Sequence, residues 1–221
     1  MYLPSHFAIA DIDEIAGFVD AAGTADIVTF DGAALTSSLV PVIWERPSAS
    51  DAEAGRYGRL LAHIARANAQ WRIANTQVPA LAIVHGPRAY VSPSWYASKQ
   101  EHGRVVPTTN YTTVHFSGPI TFHDDAEWLR NLVTRLTDLH EGRRHDRWKV
   151  DDAPKPYIDG QLRAIIGVEI TVTSLEAKAK LSQNRSTADQ RGVVEALRVE
   201  SDAGAQAIAE LMARGIENAD D

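Results

Sequence analysis

Between Ala25 and Val172 the chain is a succession of short apolar, β-branched runs separated by turn residues. Ala25–Phe30 is followed by Asp31-Gly32, a hairpin signal, and Ala34–Trp44 reads as the returning strand. Tyr57–Ala65, Pro79–His85, Asn110–Phe122 and Arg163–Val172 continue the series, and Arg88–Ser92 reads as the hairpin partner of Pro79–His85 across Gly86-Pro87. Strands that are neighbours in sequence and joined by turns pair antiparallel. Roughly six or seven of them in one unit curl into a barrel, because closure removes exposed edges. The expected fold class is mainly β with flanking helices (α+β), as a single domain over residues 1–221.

Helices flank the strands. Asp11 caps a helix to Ala22, with Ile12, Ile15, Ala16 and Val19 at helical spacing and Gly23 at its stop. Asp124 or Asp125 caps a second, Ala126–His140, with Trp128, Leu129, Leu132, Val133 and Leu136 on one face. Ser186 or Thr187 starts a third to Arg198. Ser201 starts a fourth, Asp202–Arg214, which Gly215 ends, and the last residues fray. Arg66–Trp71 forms a short helical turn. Pro41 marks an edge or a bulge, and Gly118-Pro119 a kink. Glu45–Arg56 is a loop, and Glu141–Tyr157, polar and with two prolines, is a surface excursion. Arg163–Val172 is expected to be the last strand. The aromatic start, MYLPSHF, is expected to pack on the rest of the chain.

Composition narrows the chemistry. The net charge is −7, so no global positive field draws the chain to nucleic acid. Arg143–Arg147 is the one dense basic run. There is no cysteine, hence no disulfide, thiolate site or cysteine nucleophile. No apolar run is long enough to span a membrane and no secretion signal is evident, so a cytoplasmic location is the default expectation. The eight histidines form no HExxH pattern, and no metal site is expected. No nucleophile elbow, dinucleotide fingerprint, P-loop or strong acid/base pair occurs.

Three stretches carry polar groups beyond what a core needs. In HIARANAQW, His63, Arg66, Asn68 and Gln70 gather where a strand turns into a helix, and Ser37 and Ser38 precede them. Such groups suit a phosphate, or they are a solvent-facing arginine beside a capped turn. From Gly86 to Gly118, Tyr90, Trp95, Tyr96 and Tyr111 are interleaved with Ser92, Ser94, Thr108, Thr109 and Asn110. That mixture suits a flat heteroaromatic ring, or a loop packed on itself. Lys180 with Leu181–Arg185 suits a ring edge or a subunit interface, or is an exposed loop before a helix.

In order along the chain, MYLPSHF, RLLAHIARANAQW, GPRAYVSPSWY, VPTTNY and KLSQNR resemble the motifs of the PaiB-like FMN-binding negative transcriptional regulators, of the flavin-binding split-barrel group. The resemblance covers most of residues 1–200. Thr109 stands where that family's motif has Trp. The resemblance implies a split β-barrel with C-terminal helices, a homodimer, and FMN in a cleft between subunits. Carried over by position, it implicates Ser37, Ser38, His63, Ile64, Arg66 and Asn68 around the phosphate. Tyr90, Ser92, Thr108, Asn110 and Tyr111 come next to the ring, and Lys180, Ser182, Gln183 and Asn184 reach in from the second subunit. It implies regulation of transcription as a repressor, with DNA as a partner that the acidic charge does not favour. An FMN-dependent oxidoreductase on the same scaffold is the alternative.

Overall fold

The structure, a computed structural model, describes residues 1–47, 56–142 and 144–220. Among them are strands β1 (Ala8–Ile9), β2 (Thr24–Phe30), β3 (Leu35–Glu45), β4 (Arg59–Ala65), β5 (Ala80–Val91), β6 (Thr108–Gly118), β7 (Ile120–His123), β8 (Ile165–Thr171) and β9 (Ser174–Lys180). The helices are α1 (Ile12–Ala22), α2 (Gln70–Ile73), α3 (Ser98–His102), α4 (Ala126–Glu141), α5 (Lys155–Leu162), α6 (Thr187–Arg198) and α7 (Ala203–Asp220). The chain divides into two compact units. The first gathers residues 1–18, 85–114 and 176–221, and the second 19–84 and 115–175.

In the second unit the strand order is β5-β2-β3-β4-β8-β7, and these pairings are antiparallel. Strand β2 alternates half-buried and buried residues along its whole length, the period-two signature of a strand with one face on a core. Strand β3 pairs β2 from Leu35 to Pro41 and β4 from Val42 to Glu45. Pro41 therefore sits where β3 changes partners rather than in a bulge, and its missing donor leaves no gap in the β4 ladder. Helix α4, capped by Asp125 through the Trp128 backbone N–H at 2.7 Å, lays Leu132 and Leu136 on Leu61 and Ile43. Gln70 is 2% exposed. Its Nε2 donates to Ile27 O at 2.8 Å, Thr29 Oγ1 at 3.1 Å and Thr36 O at 3.2 Å, tying α2 to β2 and β3.

In the first unit the order is β1-β9-β6-β5. Helices α6 and α7 supply Val193, Leu197, Ile208 and Met212 to a core with Val91, Tyr96 and Leu181. The N-terminal arm packs as expected: Ala8 pairs with Lys178, and Phe7 is buried.

Four expectations change. Gly86-Pro87 is not a turn, since β5 runs unbroken from Ala80 to Val91. The glycine serves close approach instead: a Cβ there would lie 1.9 Å from Thr112 Oγ1. Arg163–Val172 is not the last strand. SLEAKAK forms β9, although Ala, Lys and Glu favour helix; burial of Ala177 and Ala179 overrides that propensity. The polar stretch after α4 is not wholly a surface excursion, because Val150, Ile158 and Leu162 join Leu129 in a core cluster. Its prolines flank the first helical residue of α5, where no N–H is needed. Helix α7 continues through Gly215, since Leu211 and Ile216 still pack on the core. The kink at Gly118-Pro119 is real and separates β6 from β7.

Gly58 holds φ +80°, and a Cβ there would lie 1.8 Å from the Glu45 carbonyl oxygen. Gly58→Ala combines a disfavoured backbone angle with a backbone clash. It should lower stability by about 2–4 kcal/mol, read as a reduced denaturant midpoint at unchanged slope.

Candidate functional site

The candidate residues fall into one group in each unit. In the second unit, successive residues of β3 face opposite sides. Ser37 is exposed and Ser38 half-buried. Ser38 Oγ accepts from Asn68 Nδ2 at 2.8 Å, and Asn68 Oδ1 accepts from the Gln70 backbone N–H at 2.9 Å. Ser38 and Asn68 are thus brought together. Ser37 Oγ reaches Asp26 Oδ1 at 3.4 Å instead, so the two serines present themselves to different faces. On β4, Ile64 is 4% exposed, which leaves only its backbone for a ligand. His63 is half-buried on the opposite face, across from Gly167. Burial pushes its imidazole below the ordinary value of 6.5, so it is neutral at pH 7.

Arg66 has a structural commitment that the sequence does not reveal. Its Nη1 donates to Asp124 Oδ2 at 2.8 Å and its Nη2 to Asp124 Oδ1. Its Nε donates to Arg163 O at 2.7 Å and its Nη2 also to Ile165 O at 3.3 Å. The Arg66 hydrogen bond holds the Asp124 carboxyl below the usual carboxylate range. This two-pronged pair joins the end of β4 to the segments before α4 and β8.

In the first unit, Lys180 Nζ donates to Thr108 Oγ1 and to Thr109 O, the latter at 2.7 Å. Asn110 is fully buried; its Nδ2 donates to Ser182 Oγ at 3.0 Å and lies 3.3 Å from Met212 Sδ. Ser182 takes φ +64°, the one non-glycine residue with positive φ among the described residues. Such backbone is disfavoured and persists only when its surroundings over-determine it; here Asn110 does so. Gln183 Oε1 accepts from the Leu181 N–H at 2.7 Å, and its Nε2 donates to Ala179 O at 2.6 Å. Asn184 is exposed. Ser92 Oγ accepts from the Ser94 N–H at 3.2 Å and caps a short turn. Tyr90 stands out at 59% exposure.

Lys180 has two like charges beside it, Lys178 and Arg185, while Glu176, earlier on β9, is paired with the N-terminal ammonium of Met1. The pKa of Lys180 is lowered, first by burial and then by the like charges of Lys178 and Arg185. Lys178 is 7% exposed. Its ammonium lies 5.3 Å from the Tyr111 ring, 5.7 Å from Tyr2 and 5.9 Å from Phe7. The ammonium also donates to the Tyr2 backbone carbonyl at 3.1 Å, and the rings add cation–π contact. The run KLSQNR hinted at Lys180, but the aromatic cage of Lys178 could not be read, because its rings come from distant segments. Among the described residues, no three His, Cys, Asp or Glu side chains group as metal ligands, and no helix is long and apolar enough to cross a membrane.

Residues 1–174 match the family described as "Putative FMN-binding domain". The chain belongs to this FMN-binding family. It is 31% identical over 212 residues, 96% of each chain, to the protease synthase and sporulation protein PAI 2 of Bacillus subtilis. A protein of Aspergillus fumigatus is 30% identical over 196 residues, 73% of this chain and 75% of that one. Among solved structures, the flavocytochrome Anf3 of Azotobacter vinelandii matches with a TM-score of 0.54 at 13% identity, over 78% of this chain and 69% of that one. The FAD and heme binding protein of Mycobacterium smegmatis matches at 0.52 and 13% identity, over 78% and 73%. At that identity the likeness is one of fold. The fold class is the split β-barrel, mainly β with flanking helices, and the cofactor of the family is FMN.

The residues present fit that cofactor. An uncancelled cationic group at Lys180 and Arg185 suits the phosphate or the electron-rich ring edge of FMN. In the same unit, the Thr108 and Ser182 hydroxyls beside them suit its polar periphery.

The state of His63 makes stability depend on pH. A base whose folded pKa is depressed contributes fully above its unfolded value of 6.5, and the contribution is lost as pH falls through the folded value. The melting temperature should therefore fall from about pH 7 to about pH 5. His63→Gln, which cannot titrate, should flatten that slope; an unchanged slope would place the titration elsewhere.

Proposed function

We propose that this chain works as an FMN-binding homodimer and regulates in the manner of a negative transcriptional regulator. The observation that carries the cofactor part is the one-sign charge cluster of Lys178, Lys180 and Arg185 beside Thr108, Asn110 and Ser182. A half-buried cation with like charges beside it gains from an anion to face. When bound, FMN supplies electron-transfer chemistry that no side chain of the chain carries. Lys180 and Arg185 would hold its anionic groups, and Thr108 and Ser182 would orient it. Arg66 is a brace for the β4 end in this reading, because Asp124 and two carbonyls already take its donors.

The homodimer rests on the outer face of β2 and β3. Leu35 and Leu39 are 72% and 66% exposed. They share that face with Ser37, and across the ladders with Asp26, Val28, Phe30, Leu81 and Ile83. Helix α4 covers the same face further along β3, at Ile43, and leaves this end bare. A largely apolar exposed face of this kind, with the Ser37–Asp26 pair at its middle, suits an interaction surface, and a second copy presenting the same face would close it with two-fold symmetry. The regulatory part is supported by 31% identity over 96% of the chain to a protein named for protease synthesis and sporulation.

Added FMN should bind saturably, with quenched flavin fluorescence, and Lys180→Met should weaken it by about 1.5–3 kcal/mol. An unchanged affinity would remove Lys180 from the site. Leu39→Glu should convert dimer to monomer by light scattering and lower FMN affinity as well. A dimer that survives Leu39→Glu would move the interface off β3. Cells lacking the protein should show derepressed transcripts, silenced again by the wild type and not by Lys180→Met. Unaltered transcripts, together with turnover of a reduced nicotinamide by the purified protein, would make it an oxidoreductase instead.

A further inference from the structure

The first unit also contains an open cleft of about 720 Å³, a volume typical of small-molecule sites. Its floor is apolar, since Ala89, Leu197 and Ala205 line it and are all buried. Its walls are aromatic: Tyr90, well exposed, and Trp95, half-buried. Glu200 and Asp202 stand at the rim against a single cation, Arg88. One oxygen of Asp202 accepts from the Ala205 N–H at 2.8 Å, which leaves its other oxygen for a ligand. Helix α6 ends beside the cleft, between Leu197 and Glu200, and α7 begins there at Ala203 with Asp202 as its cap, so the partial charges of the two helix ends offset one another. Arg198, in the last turn of α6, is directed to Glu210 at 3.1 Å and adds no cation to the cleft.

We propose that this cleft binds a small organic cation with a flat apolar body, such as an aromatic ammonium compound. Two lining carboxylates outweigh one lining guanidinium. The faces of Tyr90 and Trp95 attract a cation that they also desolvate, and the apolar floor takes the body of the ligand. The same charges disfavour a phosphate, so this is a second site beside the one proposed for FMN, and it takes as its own wall Tyr90, which the family resemblance puts next to the ring.

The test uses the full chain with FMN present and three probes of similar size, benzyltrimethylammonium, benzyl alcohol and benzoate, followed by calorimetry and tryptophan fluorescence. The ammonium should bind saturably, the alcohol more weakly, and benzoate not at all. Glu200→Gln should weaken the ammonium roughly three- to tenfold while leaving flavin absorbance unchanged. Tyr90→Leu should weaken it by a similar factor. Since Glu200 is exposed, its variant should fold normally, and the melting temperature checks this. Benzoate binding as well as the ammonium, no binding up to about 10 mM, or an affinity indifferent to Glu200→Gln would each overturn the proposal.

Discussion

Strand β3 is the constraint on which the second unit depends. It is eleven residues long and cannot be satisfied by one neighbour. Its first part is hydrogen-bonded to β2, its last part to β4, and Pro41 stands at the exchange. A one-residue slip on either side would turn every side chain to the wrong face. Register on β3 therefore decides that Ser38 meets Asn68 and that Val42 and Trp44 enter the core. It decides as well that Leu35, Ser37 and Leu39 look outward. Helix α4 then covers only part of that outward face, which is why an apolar stretch remains bare.

Cations among the described residues stand in two kinds of surroundings. Arg66, Arg130 and Arg135 are each paired with a carboxylate: Asp124, Asp159 and Glu45 respectively. These pairs sit near the surface, contribute modestly to stability, and fix local geometry. Lys178, Lys180 and Arg185 have neighbours of their own sign or aromatic rings instead. Arrangements that leave charge uncancelled cost stability, and proteins keep them where a ligand supplies the missing partner. The left-handed backbone at Ser182, within the same run, is strain of the kind that gathers at binding sites.

Much of the strand series was legible because β-branched runs and turn residues act locally. The hairpin β2–β3, the caps at Asp11, Asp125 and Ser186, and the break at Gly118-Pro119 all follow from chemistry within a few residues. Strand β9 was not legible, because nothing in SLEAKAK favours extension; its conformation comes from pairing with β1 and from buried alanines. Gly86 misled for the same reason. A glycine required by a neighbour's approach looks, in sequence, like a glycine required by a turn.

The ordered motifs were enough to reach the FMN-binding family and to nominate Lys180, Asn110 and Ser38 as candidates, since residue identity is a property of the chain alone. Which face each residue serves was left to the fold. Arg66 reads as a phosphate ligand, and only the fold reveals its pairing with Asp124, far along the chain. Lys178 reads as a surface lysine until Tyr2, Phe7 and Tyr111 enclose it. Local sequence settles what a segment prefers; partners and burial are set by contacts between residues far apart in the chain, and those exist only once it has folded.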